Sequence, residues 1–295
     1  MKHFPEWLNK KVKTGSGGET GRILSGLRLN TICRAALCPN ITECFSKGTA
    51  AFMILGNLCA RGCGFCGVSK GLPTSLDESE PERIAEACEK LGLKYVVITS
   101  PSRDDLPDGG AEFFAKTADA LKKREKSIKI ELLIPDFMGS VRCLEKIALS
   151  GACVVGHNLE TVRRLYDIRS GADYERSLFV LETLSGFPGI KTKSGIMLGL
   201  GEREEEVEGL LKDLIEVRCF FLSIGQYLSP GGRSVSVAEY VRPEKFASYK
   251  KKALDMGFRH VESSPYTRSS YLAEKYLSAG EEYSLPSGRG SLRKK

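Results

Sequence analysis

The stretch AAFMILGNLCARGCGFCGV, residues 50–68, joins an uninterrupted apolar run to a loop carrying three cysteines. The apolar part is short and closes on Gly56, which reads as a buried strand rather than a helix. The same succession of apolar run and polar end recurs downstream at KYVVITS (94–100), IKIELLIPD (128–136), ACVVGHN (152–158), KSGIMLGLG (193–201) and FFLSIGQYL (220–228). Between these runs lie helical stretches at 81–92, 109–126, 140–151, 173–186, 202–218 and 242–257. Pro81 stands where a first helical turn accepts it, and Gly92, Gly151, Gly186 and Gly257 stand where helices end.

Apolar strands alternating with crossover helices predict an α/β fold with a parallel sheet covered on its faces. Six βα units point to a partial (β/α)6 barrel of TIM type; an open doubly wound sheet is the less favoured arrangement. No GxGxxG follows the first strand, so a dinucleotide site has no support. In such barrels the chemistry sits at the C-terminal ends of the strands. Polar residues gather there: Asn57 and the cysteines, Thr99–Asp105, Asp136, His157–Glu160, Gly199–Glu202 and Gln226–Ser229.

The chain has 295 residues, ten of them cysteine, and a net charge of +7. Residues 1–30 carry a net +4, residues 287–295 another +4, and the stretch between them −1. A near-neutral body with two basic ends gives no surface for nucleic acid. The longest purely apolar run, Ala50–Leu55, is far shorter than the ~20 residues of a membrane span. The start MKHFPEWLNKKVKTG lacks the apolar core of a secretory signal. The expectation is a cytoplasmic protein, where thiols stay reduced and ten cysteines suggest metal rather than disulfides.

Cys59, Cys63 and Cys66 form C-x3-C-x2-C directly after the first strand, with Gly62, Gly64 and Gly67 between and beside them. Three thiolates in so short a loop can hold three corners of a four-iron cube and leave one iron open. A ferredoxin run or paired C-x2-C zinc motif would be spaced differently, and a structural zinc knuckle is the bland alternative. A second triad, Cys33, Cys38 and Cys44, is spaced C-x4-C-x5-C and is again one ligand short of a full cube. Cys88, Cys143, Cys153 and Cys219 have apolar neighbours and read as core thiols.

The first loop, with Phe65 before its third cysteine, resembles the signature of the radical S-adenosylmethionine (SAM) enzymes. Together with the second triad, the chain resembles the lipoyl synthases over residues 22–275. The blocks that carry this are RDDLPDGGAEFF (103–114), HNLETVRRLY (157–166), DYERSL (173–178), KSGIMLGLGE (193–202), GQYLSP (225–230) and RSSY (268–271). Ser264-Pro265 and SPGGR (229–233) depart from the family pattern beside these blocks.

The resemblance implies two 4Fe-4S clusters and SAM. Cys59, Cys63 and Cys66 would hold the SAM-binding cluster. Cys33, Cys38 and Cys44 would hold an auxiliary, sulfur-donating cluster whose fourth ligand is a serine of RSSY, Ser270 in preference to Ser269. An alkoxide binds iron less firmly than a thiolate, which suits a cluster that is dismantled. Phe65 would lie near the adenine, and Asn158, Glu160, Gly199 and Glu202 would contact SAM, with His157 beside them. Glu202 also opens an acidic helix start, and RDDLPDGG reads either as a turn with an N-cap or as a site lid.

The implied activity is sulfur insertion at C6 and C8 of an octanoyl-lysine on a lipoyl carrier domain. Implied carriers are the 2-oxoacid dehydrogenase E2 component and the glycine cleavage H protein. Reduced ferredoxin or flavodoxin would supply electrons and a cluster-assembly carrier the iron–sulfur units, with neither nucleic acid nor membrane as partner. The implied organisation is an auxiliary-cluster segment at 1–48, the barrel at 49–262 and an extension at 263–295. A methylthiotransferase-like enzyme is the rival within the superfamily, and a two-cluster electron-transfer protein the rival outside it.

Overall fold

The computed structural model describes residues 4–9, 18–71 and 75–281, with side chains to Leu277. Lys2, Lys10, Lys11 and Lys13 and the basic stretch 287–295 lie outside the described residues. Three short helices, α1 (Gly18–Gly26), α2 (Ile32–Ala35) and α3 (Ile41–Ser46), precede strand β1 (Ala51–Met53). Then follow α4 (Glu80–Lys90), β2 (Tyr95–Thr99), α5 (Ala111–Arg124), β3 (Lys129–Leu133), α6 (Val141–Ala148) and β4 (Val154–Gly156). The second half runs α7 (Tyr174–Ser185), β5 (Lys191–Leu198), α8 (Glu204–Glu216), β6 (Phe221–Gln226), α9 (Pro243–Met256), β7 (His260–Ser263) and α10 (Glu274–Glu281).

The seven strands pair in chain order and all in parallel, with Phe52 opposite Ile98, Glu131 opposite Val154, and Leu222 opposite Val261. Six βα units and a closing strand form the expected α/β partial barrel. Strand β7 is an addition to the sequence reading: HVES has one buried apolar residue and no apolar run to announce it. Helices α1–α3 are likewise absent from that reading. The β1 edge is covered by the preceding chain, which blocks edge-to-edge pairing there. Along β1, Met53 N donates to the Asn30 carbonyl at 3.0 Å and Thr31 bridges Phe52.

Apolar helix faces pack on the sheet in two clusters, one around β1–β4 and one around β5–β7. Cys88, Cys143 and Cys219 are buried among them, and burial pushes Cys88 and Cys219 up to about 12, so they remain thiols. Helix α10 closes the N-terminal end of the barrel, where Tyr276 and Leu277 pack on Val154 and Phe221. There Lys193 Nζ lies 3.8 Å from the Tyr276 ring centre and 2.8 Å from Glu131 Oε1, all fully buried. No helix among the described residues is long and apolar enough to cross a membrane.

Candidate active site

The cysteine loop begins where β1 ends. Leu55 is locked at both backbone groups: its N–H donates to Glu80 Oε2 at 2.9 Å, and its carbonyl accepts from Arg103 Nη1 at 3.0 Å. Residues 60–68 are then closed off by a two-residue parallel ladder, Leu58–Cys59 against Ser69–Lys70. At the loop tip Gly64 N donates to the Ile168 carbonyl at 2.7 Å, and its own carbonyl accepts from Val235 N at 2.8 Å. A Cβ at Gly64 would stand 3.1 Å from Val235 Cγ1, tighter than ordinary contact, so the approach favours glycine.

Arg61 fixes the middle of the loop. Its Nε and Nη2 take Asp104 at 2.6 and 2.9 Å, while Nη2 and Nη1 take Asp136 at 2.7 and 3.1 Å. Asp136 also accepts from Arg176 Nε at 2.8 Å; against the opposing effect of burial, Arg61 and the Met138 N–H hold its carboxyl down at about 2. The RDDLPDGG segment is therefore a turn and cap: Arg103 pairs with Asp105, Asp104 with Arg61, and Asp108 caps α5 through Gly110 N and Glu112 N.

Cys59, Cys63, Phe65 and Cys66 are half-buried. Burial raises the Cys63 thiol and pushes Cys66 up to about 11, with nearby Glu160 raising both and Arg169 lowering Cys63. Such thiols ionise when a metal takes the proton's place. Glu160 has a left-handed backbone (φ 66°) and is stitched to β5: its N donates to the Gly195 carbonyl and its carbonyl accepts from Met197 N, at 2.9 and 2.8 Å. Asn158 Nδ2 donates to Glu160 Oε1 at 3.0 Å, and Ser269 Oγ donates to Asn158 Oδ1 at 2.7 Å. The loop thiols, Glu160, Asn158 and Ser269 thus share the barrel mouth.

Other expected SAM contacts are turned inward. His157 has Nδ1 at 3.0 Å from the Ile134 carbonyl and Nε2 at 3.0 Å from Ser177 Oγ, and burial lowers its pKa to about 4. It joins β4 to α7 as a neutral ring. Glu202 accepts from Gly199 N at 2.6 Å and Leu200 N at 2.9 Å, so both its oxygens shape the loop after β5. Gly199 (φ 99°) has no room for a Cβ, which would meet the Gln226 side chain and the Glu239 carbonyl.

The second triad is built by α2 and α3. Cys33 lies in α2, Cys38 follows it with its N–H on the Cys33 carbonyl at 3.0 Å, and Cys44 lies in α3. They line a cavity of about 310 Å³ together with Arg268, Ser270 and Tyr271 from the far end of the chain. Bonds hold these segments together: Asn40 Nδ2 donates to the Tyr266 carbonyl at 2.7 Å, and Tyr271 Oη donates to Glu43 Oε1 at 3.1 Å. Ser270 faces this cavity whereas Ser269 faces Asn158.

Three thiols and a hydroxyl are the donor set of an iron–sulfur cluster rather than of a hard cation. The cavity exceeds several times the roughly 30 Å³ share of one water. Among the described residues no three His, Cys, Asp or Glu side chains converge as a single metal ion requires. Cluster ligands are spread by comparison, because each binds a different iron. Three thiols at each triad, joined at the second by the Ser270 hydroxyl, are a donor set that fits a four-iron cluster. The sequence named Asp104, Asp136, Arg268 and Ser269 as members of their blocks, but not the pairing of Arg61 with both carboxylates or of Ser269 with Asn158, because those partners are distant in the chain.

The profile of the radical SAM superfamily matches residues 53–214. Curated relatives include lipoyl synthase of Citrifermentans bemidjiense, 52% identical over 97% of this chain and 98% of its own. Lipoyl synthase of Caldicellulosiruptor saccharolyticus is 50% identical over 92% of this chain and 96% of its own. Among solved structures, methylornithine synthase superposes with a TM-score of 0.53 at 14% identity, covering 82% of this chain and 81% of its own. Streptococcus suis SuiB bound to its precursor peptide gives 0.56 at 14% identity over 76% of this chain and 52% of its own; both show the fold alone. On sequence, fold and donor chemistry together, the chain belongs to the lipoyl synthases of the radical SAM superfamily.

Proposed function

We propose that the chain inserts sulfur at C6 and C8 of a carrier-bound octanoyl-lysine, with its residues divided between two centres as follows. Cys59, Cys63 and Cys66 hold the SAM-binding cluster, and Cys33, Cys38, Cys44 and Ser270 hold the auxiliary one. When bound, the first cluster supplies the electron that cleaves SAM to a hydrogen-abstracting radical, and the second supplies the two sulfur atoms. Each insertion exchanges a C–H for a C–S bond and consumes one SAM, leaving methionine and 5′-deoxyadenosine.

The protein's share is placement. Arg61, clamped by Asp104 and Asp136, keeps the first loop at the barrel mouth. Glu160 and Asn158 offer a carboxylate and an amide to the amino and hydroxyl groups of SAM, and Phe65 an apolar ring to its adenine. Gly199 and Glu202 shape the loop beside it. The segment from Ser269 to Tyr271 stands between the two centres. One serine faces each, which favours a substrate chain threaded between them. The chain divides accordingly into residues 1–48, 49–262 and 263–295.

We place the enzyme in the cytosol, acting on E2 or H-protein lipoyl domains. Ferredoxin or flavodoxin serves as its reductant and a cluster carrier replaces spent iron and sulfide. The observation that carries the reading is the single cavity lined by Cys33, Cys38, Cys44 and Ser270. The Cys38→Ala chain tests it: about four iron per chain should remain of about eight. SAM cleavage should persist and sulfur insertion should vanish. Sulfur insertion by that variant would refute the assignment of the two triads.

A further inference from the structure

Arg268 is half-buried and, among the described residues, bonds to neutral acceptors. Its Nη1 donates to the Thr267 carbonyl at 2.7 Å and the Pro265 carbonyl at 3.3 Å. Among the described residues no carboxylate stands within ion-pair distance of it. The titratable groups that face it are Cys38, Tyr266 and Glu160. A guanidinium stays protonated. Its loop packs closely on β6, where a Cβ at Gly225 would run into the Thr267 carbonyl and stand 3.2 Å from Arg268 Nη1. The guanidinium also lines the cavity of the second triad.

An unmatched cation taken out of water is unfavourable, and a fold tolerates one best where an anion completes it. Three thiolates and an alkoxide around four iron and four sulfide make such an anion. We infer that Arg268 is the counter-charge of the auxiliary cluster, a positioning residue that holds the cluster by electrostatics and raises its reduction potential. This rests on the reading of that cavity as the auxiliary centre. Net charge and hydrogen bonds near the sulfurs are the terms by which a protein sets a cluster's potential.

The test uses the full chain carrying Cys63→Ala and Cys66→Ala, which leaves the auxiliary centre alone. Iron content, the midpoint potential, the electron paramagnetic resonance spectrum of the reduced cluster and the rate of iron loss to a chelator are measured. Arg268→Gln should lower the potential, shift the spectrum and speed iron loss several-fold. Arg268→Lys, which keeps the charge, should recover most of the potential and the slow loss. Arg268→Gln with unchanged potential, spectrum and release overturns the proposal. So does Arg268→Lys as defective as Arg268→Gln, because shape rather than charge would then matter. If Arg268→Gln takes up no cluster, Arg268→Lys that loads normally supports the charge role. A parent chain that binds no iron overturns the reading of the cavity, and the proposal with it.

Discussion

Arg61 suspends the loop of three cysteines from two carboxylates in different βα units, Asp104 after β2 and Asp136 after β3. Its side chain is 6% exposed and that of Asp136 1%, so solvent screens the pair little. Arg61→Gln leaves Asp136 with Arg176 and Asp104 without its fork. The expected loss is about 3 kcal/mol of stability, together with iron from the first centre but not the second. Denaturant unfolding checks the first half; iron counts on the Cys38→Ala background for the first centre, and on the Cys63→Ala, Cys66→Ala background for the second, check the other.

His157 gives a pH signature. Its folded pKa, about 4, lies below the unfolded value of 6.5, so the unfolded chain takes the proton first. The stability it contributes is complete above pH 6.5 and is lost as pH falls toward 4, by about 3 kcal/mol in all. His157→Asn should flatten that segment of the stability-against-pH curve; an unchanged slope would show that another group titrates there. Neither residue was legible as such. The sequence placed His157 at a strand end beside true mouth residues, yet successive residues of a strand point to opposite faces. Ser270 was preferred to Ser269 through the family resemblance alone; the turn at 269–270 turns one toward Asn158 and the other toward the cavity.

At the scale of elements, the six βα units were legible because buried parallel strands and their amphipathic helices carry strong periodicities. Strand β7 was not, since HVES is an edge strand with three of its four residues only half-buried. Helix α10 matters more than its length suggests, because it follows RSSY directly and plugs the barrel with Tyr276. That ring covers Lys193, whose partner Glu131 also accepts from Tyr95 at 2.5 Å. Glu131→Gln should destabilise the chain by about 3–5 kcal/mol by leaving a buried ammonium without its carboxylate, and adding Lys193→Met should return much of it. A double variant as unstable as the single one would mean the cost is one of packing. Tyr276→Ala should loosen the anchor of Ser270, so iron of the auxiliary centre is lost to a chelator faster while that of the first centre is retained.

For the whole molecule, the two triads come from one end of the chain and the fourth ligand from the other. Asn40–Tyr266 and Glu43–Tyr271 close that circuit across the sheet edge. Spacing alone disclosed both triads, because each is local. Their common purpose rests on long-range folding that brings residues 33–44 and 268–271 to one cavity. The central claim is that this cavity is the sulfur source. The decisive measurement follows an octanoyl-lysyl peptide by mass through a single turnover with SAM and reductant, alongside iron released from the protein. The account predicts two added sulfur atoms per peptide and the loss of about four iron per chain, both abolished in Cys38→Ala with SAM cleavage intact. Two sulfurs gained with all iron retained, or gained by Cys38→Ala, would contradict it.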